Sequence, residues 1–135
     1  MAEVLTINRQ RLTFHNLRVY PLIYLASPYT LYSAGIQKAF EDAAKLTGRL
    51  IRNGIRVYSP IVHSHPAAIY GDLNPLDHSI WIPFNEAMTR VCNALVVAEM
   101  EGWKESKGTG IEIRIFENDE KPIYYIDPNS LLIRT

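Results

Sequence analysis

The sequence predicts an α/β domain, a flavodoxin- or Rossmann-like parallel sheet of about four or five strands with helices on both faces. Short apolar runs of strand length alternate with longer segments of helical period. The runs are continuously apolar rather than alternating, as in strands covered on both faces. Turn and breaker residues close each run. At 135 residues the chain holds one domain with a core of ordinary size, spanning 1–135.

Leu22 to Ala26 (LIYLA) reads as the first buried strand, ended by Ser27-Pro28. From about Ala34 to Asn53 the pattern is helical. Ile36, Phe40, Ala43, Ala44, Thr47, Leu50 and Ile51 recur at steps of three and four, and Asn53-Gly54 supplies a C-cap pair. Ile55 to Tyr58 (IRVY) is the second strand, stopped by Ser59-Pro60. Ile61 to about Leu76 reads as a long irregular segment holding His63, His65, Tyr70 and Asp72. A helix follows from Asp77 to Arg90, kinked or restarted at Pro83. Ala94 to Ala98 (ALVVA) is the third strand, and Gly102 to Gly110 the loop after it. A short helix from Thr109 to about Asn118 and a fourth strand, Pro122 to Ile126 (PIYYI), complete the reading. Pattern determines residues 1–20 poorly: Val4 to Ile7 and Leu12 to Val19 read as an added hairpin or as an arm onto a neighbour.

Composition narrows the function classes. The chain is 47% hydrophobic and 21% charged, with zero formal net charge. No basic stripe marks a nucleic-acid polymer as partner, and no acidic tail marks a disordered one. Met1 to Val19 lacks the apolar core of a signal peptide, and no window has the length of a membrane span. Cys92 is the single cysteine, so no internal disulfide forms and a cytoplasmic setting is expected. Placed just before a strand, it reads as an inert small hydrophobe. Zero net charge favours association, so a homo-oligomer is expected.

In parallel sheets ligands bind outside the carboxyl ends of the strands. Loops leaving those ends here are Ser27-Pro28-Tyr29, Ser59 to His65, and Glu99 to Gly110. The last runs into Ser106-Lys107-Gly108-Thr109-Gly110-Ile111-Glu112, a small-residue turn opening into a helix. Such a turn frees backbone N–H groups for an anion, and the helix N-terminus adds its positive dipole end. Ser106 adds a hydroxyl donor, and Glu112 is expected in the first turn, within reach of the same ligand. Glu112 then reads either as a capping acid or as a carboxylate that attacks a glycosidic carbon. Tyr24, alone among apolar neighbours, reads either as a core tyrosine or as a phenol that orients that carboxylate.

His63-Ser64-His65 lacks the ligand set of a metal site, and none is assigned; Asp72 and Asp77 complete no motif. A substrate-contacting role for His63 or His65 competes with plain loop polarity. Trp81 and Trp103 read as partly core, and Trp103, beside Ser106, is also placed to stack on a nucleobase. Tyr29, Tyr32 and Tyr70 admit the same reading with less weight. Lys104 and Lys107 flank the turn and attract phosphate or simply face solvent.

The segments I-Y-L-A-S-P-Y, V-Y-S-P-I-V-H-S-H and G-W-x-x-S-x-G-x-x-x-E together resemble the nucleoside 2-deoxyribosyltransferase-like superfamily. More narrowly they resemble its short bacterial and phage branch, the domain of unknown function 1937 group, over roughly Leu22 to Ile126. The last segment is also similar to the loop of the 2′-deoxynucleoside 5′-monophosphate N-glycosidases. That resemblance implies Glu112 as the nucleophile on C1′ of the sugar and Tyr24 as the tyrosine that holds it. Ser106, Gly108 and Gly110 then take the 5′ end, and a serine there implies a nucleoside monophosphate as substrate. Ser27, Pro28, Tyr29, His63, His65, Asp77, Trp81 and Trp103 are the further candidate substrate contacts. No cofactor or metal is implied, and a site completed by a neighbouring subunit implies at least a homodimer. Asn85 stands about where the resemblance places an aspartate that protonates the leaving base, and Asn93 where it places another. An amide binds a base edge but is no general acid. Glu86, adjacent to Asn85, and Asp77 are the alternative proton sources.

The leading expectation is therefore an N-glycosidase or deoxyribosyltransferase acting on a (deoxy)nucleoside monophosphate. The two asparagines favour a rival, a non-catalytic nucleotide-binding or sensing module on the same fold. A phosphoribohydrolase and an interaction protein with Glu112 as mere cap rank lower.

Overall fold

The computed structural model describes residues 12–135. It begins with a short helix, α1 (Phe14–Arg18), where Leu12 to Val19 had suggested a hairpin or arm. The Thr13 N–H donates to Asn16 Oδ1 at 2.8 Å, and Leu17 is fully buried, so one anchored turn replaces the hairpin. Val4 to Ile7 lies outside the described residues. The order continues β1 (Ile23–Ala26), α2 (Ile36–Arg52), β2 (Val57–Tyr58), α3 (Pro60–Gly71), α4 (His78–Val91), β3 (Ala94–Ala98), α5 (Lys107–Asn118), β4 (Ile123–Ile126) and β5 (Ile133–Arg134).

The strands form one sheet in the order β2-β1-β3-β4-β5. The first four are mutually parallel, and β5 returns antiparallel along β4. From β1 the chain moves outward to β2, then crosses back to place β3 on the other side of β1. Strand order thus reverses between β1 and β3, and the crevice at their carboxyl ends is the ligand position such sheets favour.

Period-two alternation divides the core. Ile23 and Leu25 of β1 and Ala94, Val96 and Ala98 of β3 face Leu46 and Leu50 of α2. Tyr24, Ala26, Leu95 and Val97 face the other way, onto Phe116 of α5 and Met88 of α4. α2 ends where Asn53-Gly54 was expected to cap it. Gly54 N–H bonds Ile51 O at 2.9 Å and Ile55 N–H bonds Leu50 O at 3.1 Å, the paired bonds of a Schellman motif. Gly54 takes φ +79°, which disfavours any L side chain.

The segment after β2 differs from the expected irregular stretch. Pro60 is not a breaker but the first residue of α3, where its missing N–H costs nothing. Ser59 accepts the Val62 N–H at 3.3 Å as N-cap. Histidines and Pro66 hid the helical period. Asp72, at φ +59°, ends the helix in the left-handed region. Pro83 lies inside α4 without ending it. No described helix is long and apolar enough to cross a membrane.

Leu50 is fully buried between α2 and the sheet, away from the loops at the carboxyl edge. Leu50→Ala is expected to cost about 2–5 kcal/mol in urea denaturation, lowering the midpoint with little change in slope.

Candidate functional site

α5 begins at Lys107, two residues earlier than its sequence suggested, so the glycines lie inside the helix rather than in a loop. Ser106 is the N-cap, and its Oγ accepts the Thr109 N–H at 3.3 Å. Gly110 N–H reaches Ser106 O at 3.0 Å. The amides of Lys107 and Gly108 have no intrahelical acceptor, because their partners would precede the helix. The Ser106 hydroxyl proton also stays free, since the cap uses only an oxygen lone pair. A Cβ at Gly108 or Gly110 would meet nothing within 4 Å, so the first turn is open to an approaching group.

Glu112 falls in the second turn of α5, and the first turn holds no acidic residue. This corrects the expectation of a first-turn carboxylate and removes the capping reading, because dipole stabilisation fades beyond the first turn. Among the described residues no cation pairs with Glu112. Burial pushes its carboxyl up to about 7, opposed by the nearby Tyr24 phenol. The residue nevertheless keeps part of its surface accessible to solvent.

Tyr24 is fully buried. Burial first, then the Glu112 charge, raises its phenol well above the ordinary range, so it stays protonated. The carboxylate is close enough to act on the phenol, yet Tyr24 Oη closes no hydrogen bond within 3.5 Å. Ser27 Oγ, Tyr58 Oη and Thr109 Oγ1 are likewise buried without a partner. Native structures satisfy nearly all such atoms, with protein or with ordered water. Ser27 follows β1, Tyr58 ends β2 and Thr109 lies in the first turn of α5, while Tyr24 is the second residue of β1. Sequence reasoning missed Tyr58 and Thr109. Tyr58 is in parallel register with Tyr24, which turns both rings to one face. No local signal gives that register; only strand pairing does.

The remaining candidates separate. His65 is buried, stacked on Phe40 at 4.6 Å, and both ring nitrogens are engaged. Tyr29 Oη meets Nδ1 at 2.5 Å and Gln37 Oε1 meets Nε2 at 2.9 Å. With Gln37 as acceptor, Nε2 carries the proton and Tyr29 donates to Nδ1. Burial lowers the His65 pKa, which favours this neutral form. His65 therefore holds Tyr29 in the loop after β1 and does not itself face a substrate, correcting the expected contact. His63, on the exposed side of α3, stacks on Phe84 at 4.4 Å. Phe84 and Tyr58 are 6.1 Å apart and Tyr58 and Tyr24 5.7 Å, so an aromatic row leads from α4 to the carboxylate.

Trp81, Asn85, Met88 and Thr89 form the less exposed side of α4. Met88 packs beside Tyr24, so Asn85, one turn earlier, shares the inward side. Glu86 is exposed and offers only its carbonyl, to the Thr89 hydroxyl at 2.7 Å. This disfavours it as an acid in place of Asn85. Asp77 is occupied as N-cap of α4, accepting from the Ser79 amide at 3.1 Å and hydroxyl at 2.6 Å. Trp81 Nε1 donates to Asn74 O at 3.1 Å and pins the preceding loop. Trp103 packs on Tyr125 at 5.4 Å, over β4. Ser27 and Pro28 are buried at the end of β1. Asn93 lies at the amino end of β3, where Oδ1 accepts the Leu22 N–H at 3.0 Å. It is thus a clamp between the start of β3 and the residue before β1.

A family model described as Domain of unknown function (DUF1937) matches residues 21–127, from just before β1 to just past β4. No curated protein matches the chain. The matched span contains every site residue above and leaves out α1 and β5.

Burial of Glu112 has a stability signature. Its folded pKa of about 7 exceeds the ordinary 4.5, so between those values the folded chain keeps a proton the unfolded chain has lost. Stability is therefore lost as pH rises through that window, by about 3–4 kcal/mol at most above pH 7. Glu112→Gln is expected to raise Tm at pH 8 and leave it nearly unchanged at pH 4. An equal Tm at both pH values would contradict the burial.

Proposed function

The chain belongs to the DUF1937 family, and from the arrangement around Glu112 we propose that it cleaves the N-glycosidic bond of a (deoxy)nucleoside 5′-monophosphate. It acts as an N-glycosidase or a deoxyribosyltransferase-type enzyme. The observation that carries this reading is an unpaired, enclosed carboxylate facing an unsatisfied phenol at the strand-order reversal. A carboxylate with no cation partner keeps its charge available for an electrophilic carbon. Glu112 attacks C1′ as the C1′–N bond breaks, and the bonding pair leaves with the base, which takes up a proton. Water or a second base then displaces Glu112 from the sugar. Tyr24 donates to the carboxylate and aims it, moderating the pKa rise that burial causes. The free N–H groups of Lys107 and Gly108 and the Ser106 hydroxyl suit a 5′-phosphate. Buried hydroxyls of Ser27, Tyr58 and Thr109 suit the sugar and its phosphate.

Asn85 on the inner side of α4 favours the second reading, a nucleotide-binding module without turnover, because it is no proton donor of useful acidity.

Oligomerisation belongs to the same reading. From the end of α3 through α4, Ile69, Tyr70, Leu73, Leu76, Ile82 and Phe84 are exposed. Thr89 is the one buried residue of α4. An apolar surface of this kind beside the site suits a second copy of the chain. Light scattering is expected to give a dimer or larger, and Ile82→Glu to shift it toward monomer; a monomeric native protein would remove this part.

The deciding assay is release of free base from a panel of ribo- and deoxyribonucleoside monophosphates. Glu112→Ala is expected to reduce release by about a thousandfold or more. Glu112 must be ionised to attack, so kcat/KM falls as pH drops below about 7. Tyr24→Phe removes the phenol that lowers that pKa, so the limb moves to higher pH. Release that survives Glu112→Ala sinks the mechanism, and a nucleotide-dependent Tm rise without release selects the binding module.

A further inference from the structure

A second concavity lies on the other face of the sheet, beside α2. It has a volume of about 720 Å³, within the range of small-molecule sites. Lys45, Gly48, Arg49 and Arg52, spaced by three and four residues, form its α2 wall. Segments following β3 and β4 form the opposite wall.

Charge pairing around it is uneven. Asp42 is held by Lys38 Nζ at 2.9 Å and by the Tyr32 hydroxyl at 2.7 Å. Both Glu99 oxygens are taken by Arg134, at 3.3 and 2.7 Å. Lys45 and Arg52 have no ion-pair or hydrogen-bond partner among the described side chains. Arg49 donates to Pro128 O at 3.0 Å, which fixes a guanidinium across the concavity. Three cations thus face one unpaired carboxylate, Glu101, in a chain of zero net charge.

Basic residues in the last turn also complement the helix dipole, and that role accounts for Arg49 and Arg52. It does not account for Lys45 or Gly48. Gly48 lies in the helix interior at an ordinary φ, where glycine weakens a helix. A Cβ there would meet nothing within 4 Å, so packing does not require its absence. What Gly48 provides is bare backbone between cations, where a ligand can approach closely.

We propose that this concavity binds a phosphorylated small molecule bearing a di- or triphosphate group, separately from the Glu112 site. A single phosphate underfills the volume, whereas a polyphosphate chain meets Lys45, Arg49 and Arg52 together. The inference stands independently of the glycosidase reading.

Titration calorimetry of the full chain with inorganic pyrophosphate, at about 0.15 M ionic strength, tests it. Saturable binding is expected, weakened about tenfold or more in Lys45→Glu/Arg52→Glu, where attraction becomes repulsion. Gly48→Leu is expected to raise the Tm of the unliganded protein while abolishing pyrophosphate binding. Those opposite signs separate an occupied concavity from a merely weak helix. Ser106→Ala and Glu112→Gln are expected to retain the affinity, since they alter the other face. Absence of saturable binding, an affinity unchanged in the α2 variants, or its loss in Ser106→Ala instead would each overturn the proposal.

Discussion

β1 and β3 pair in parallel from Ile23–Ala94 to Ala26–Val97, and every residue of both strands is buried. Strands with no wet side need cover on both faces, so α2 must lie on one and α4 with α5 on the other. The same pairing makes the strand order reverse, because β2 and β3 flank β1 on opposite sides. Loops leaving β1 and β3 then diverge and open a crevice above their ends. Tyr24, held in β1 between Tyr58 and Phe116, points onto the face that α5 covers. Moving either strand by one residue would turn Tyr24 into the α2 side and separate it from Glu112.

Around that crevice the molecule departs from stability at several points at once. Glu112 is enclosed without a cation, and four hydroxyls lack partners. Each departure is unfavourable alone, and an apolar filling of similar shape would remove it. Three of those hydroxyls, on Tyr24, Tyr58 and Thr109, belong to the side of the sheet that α5 covers. His65 contributes indirectly: its two ring bonds and its stack on Phe40 make Tyr29 part of a fixed wall.

The sheet also keeps its two candidate ligand regions apart. Glu112 and its hydroxyls occupy the α5 face, and the cationic concavity the α2 face, with the segment after β3 bordering both. β4 and β5 close the far edge, where the Arg134 guanidinium lies 4.4 Å from the Tyr125 ring centre and binds Glu99. That contact neutralises one of the three acidic residues lining the concavity.

Periodicity and punctuation determined the parallel sheet, the order of its first four strands along the chain, the Asn53-Gly54 cap and the helix that carries Glu112. These depend on interactions between residues close in sequence, which short patterns record. The residues from Pro60 to Gly71 were misread because proline at a first helical position looks like proline that breaks a helix; only the Ser59 cap distinguishes them. β5 escaped notice because, unlike β2 within the apolar Ile55 to Tyr58 run, its two residues follow no helix and belong to no strand-length pattern. Tertiary structure decided the rest. It put Tyr58 in register with Tyr24, tied Asn93 to the Leu22 amide as a clamp, and turned His65 inward. It also left Asn85 rather than Glu86 on the inner side of α4. Side-chain identity was legible in each case. Direction was not, because it follows from strand register and helix facing, which are set by partners distant in the chain.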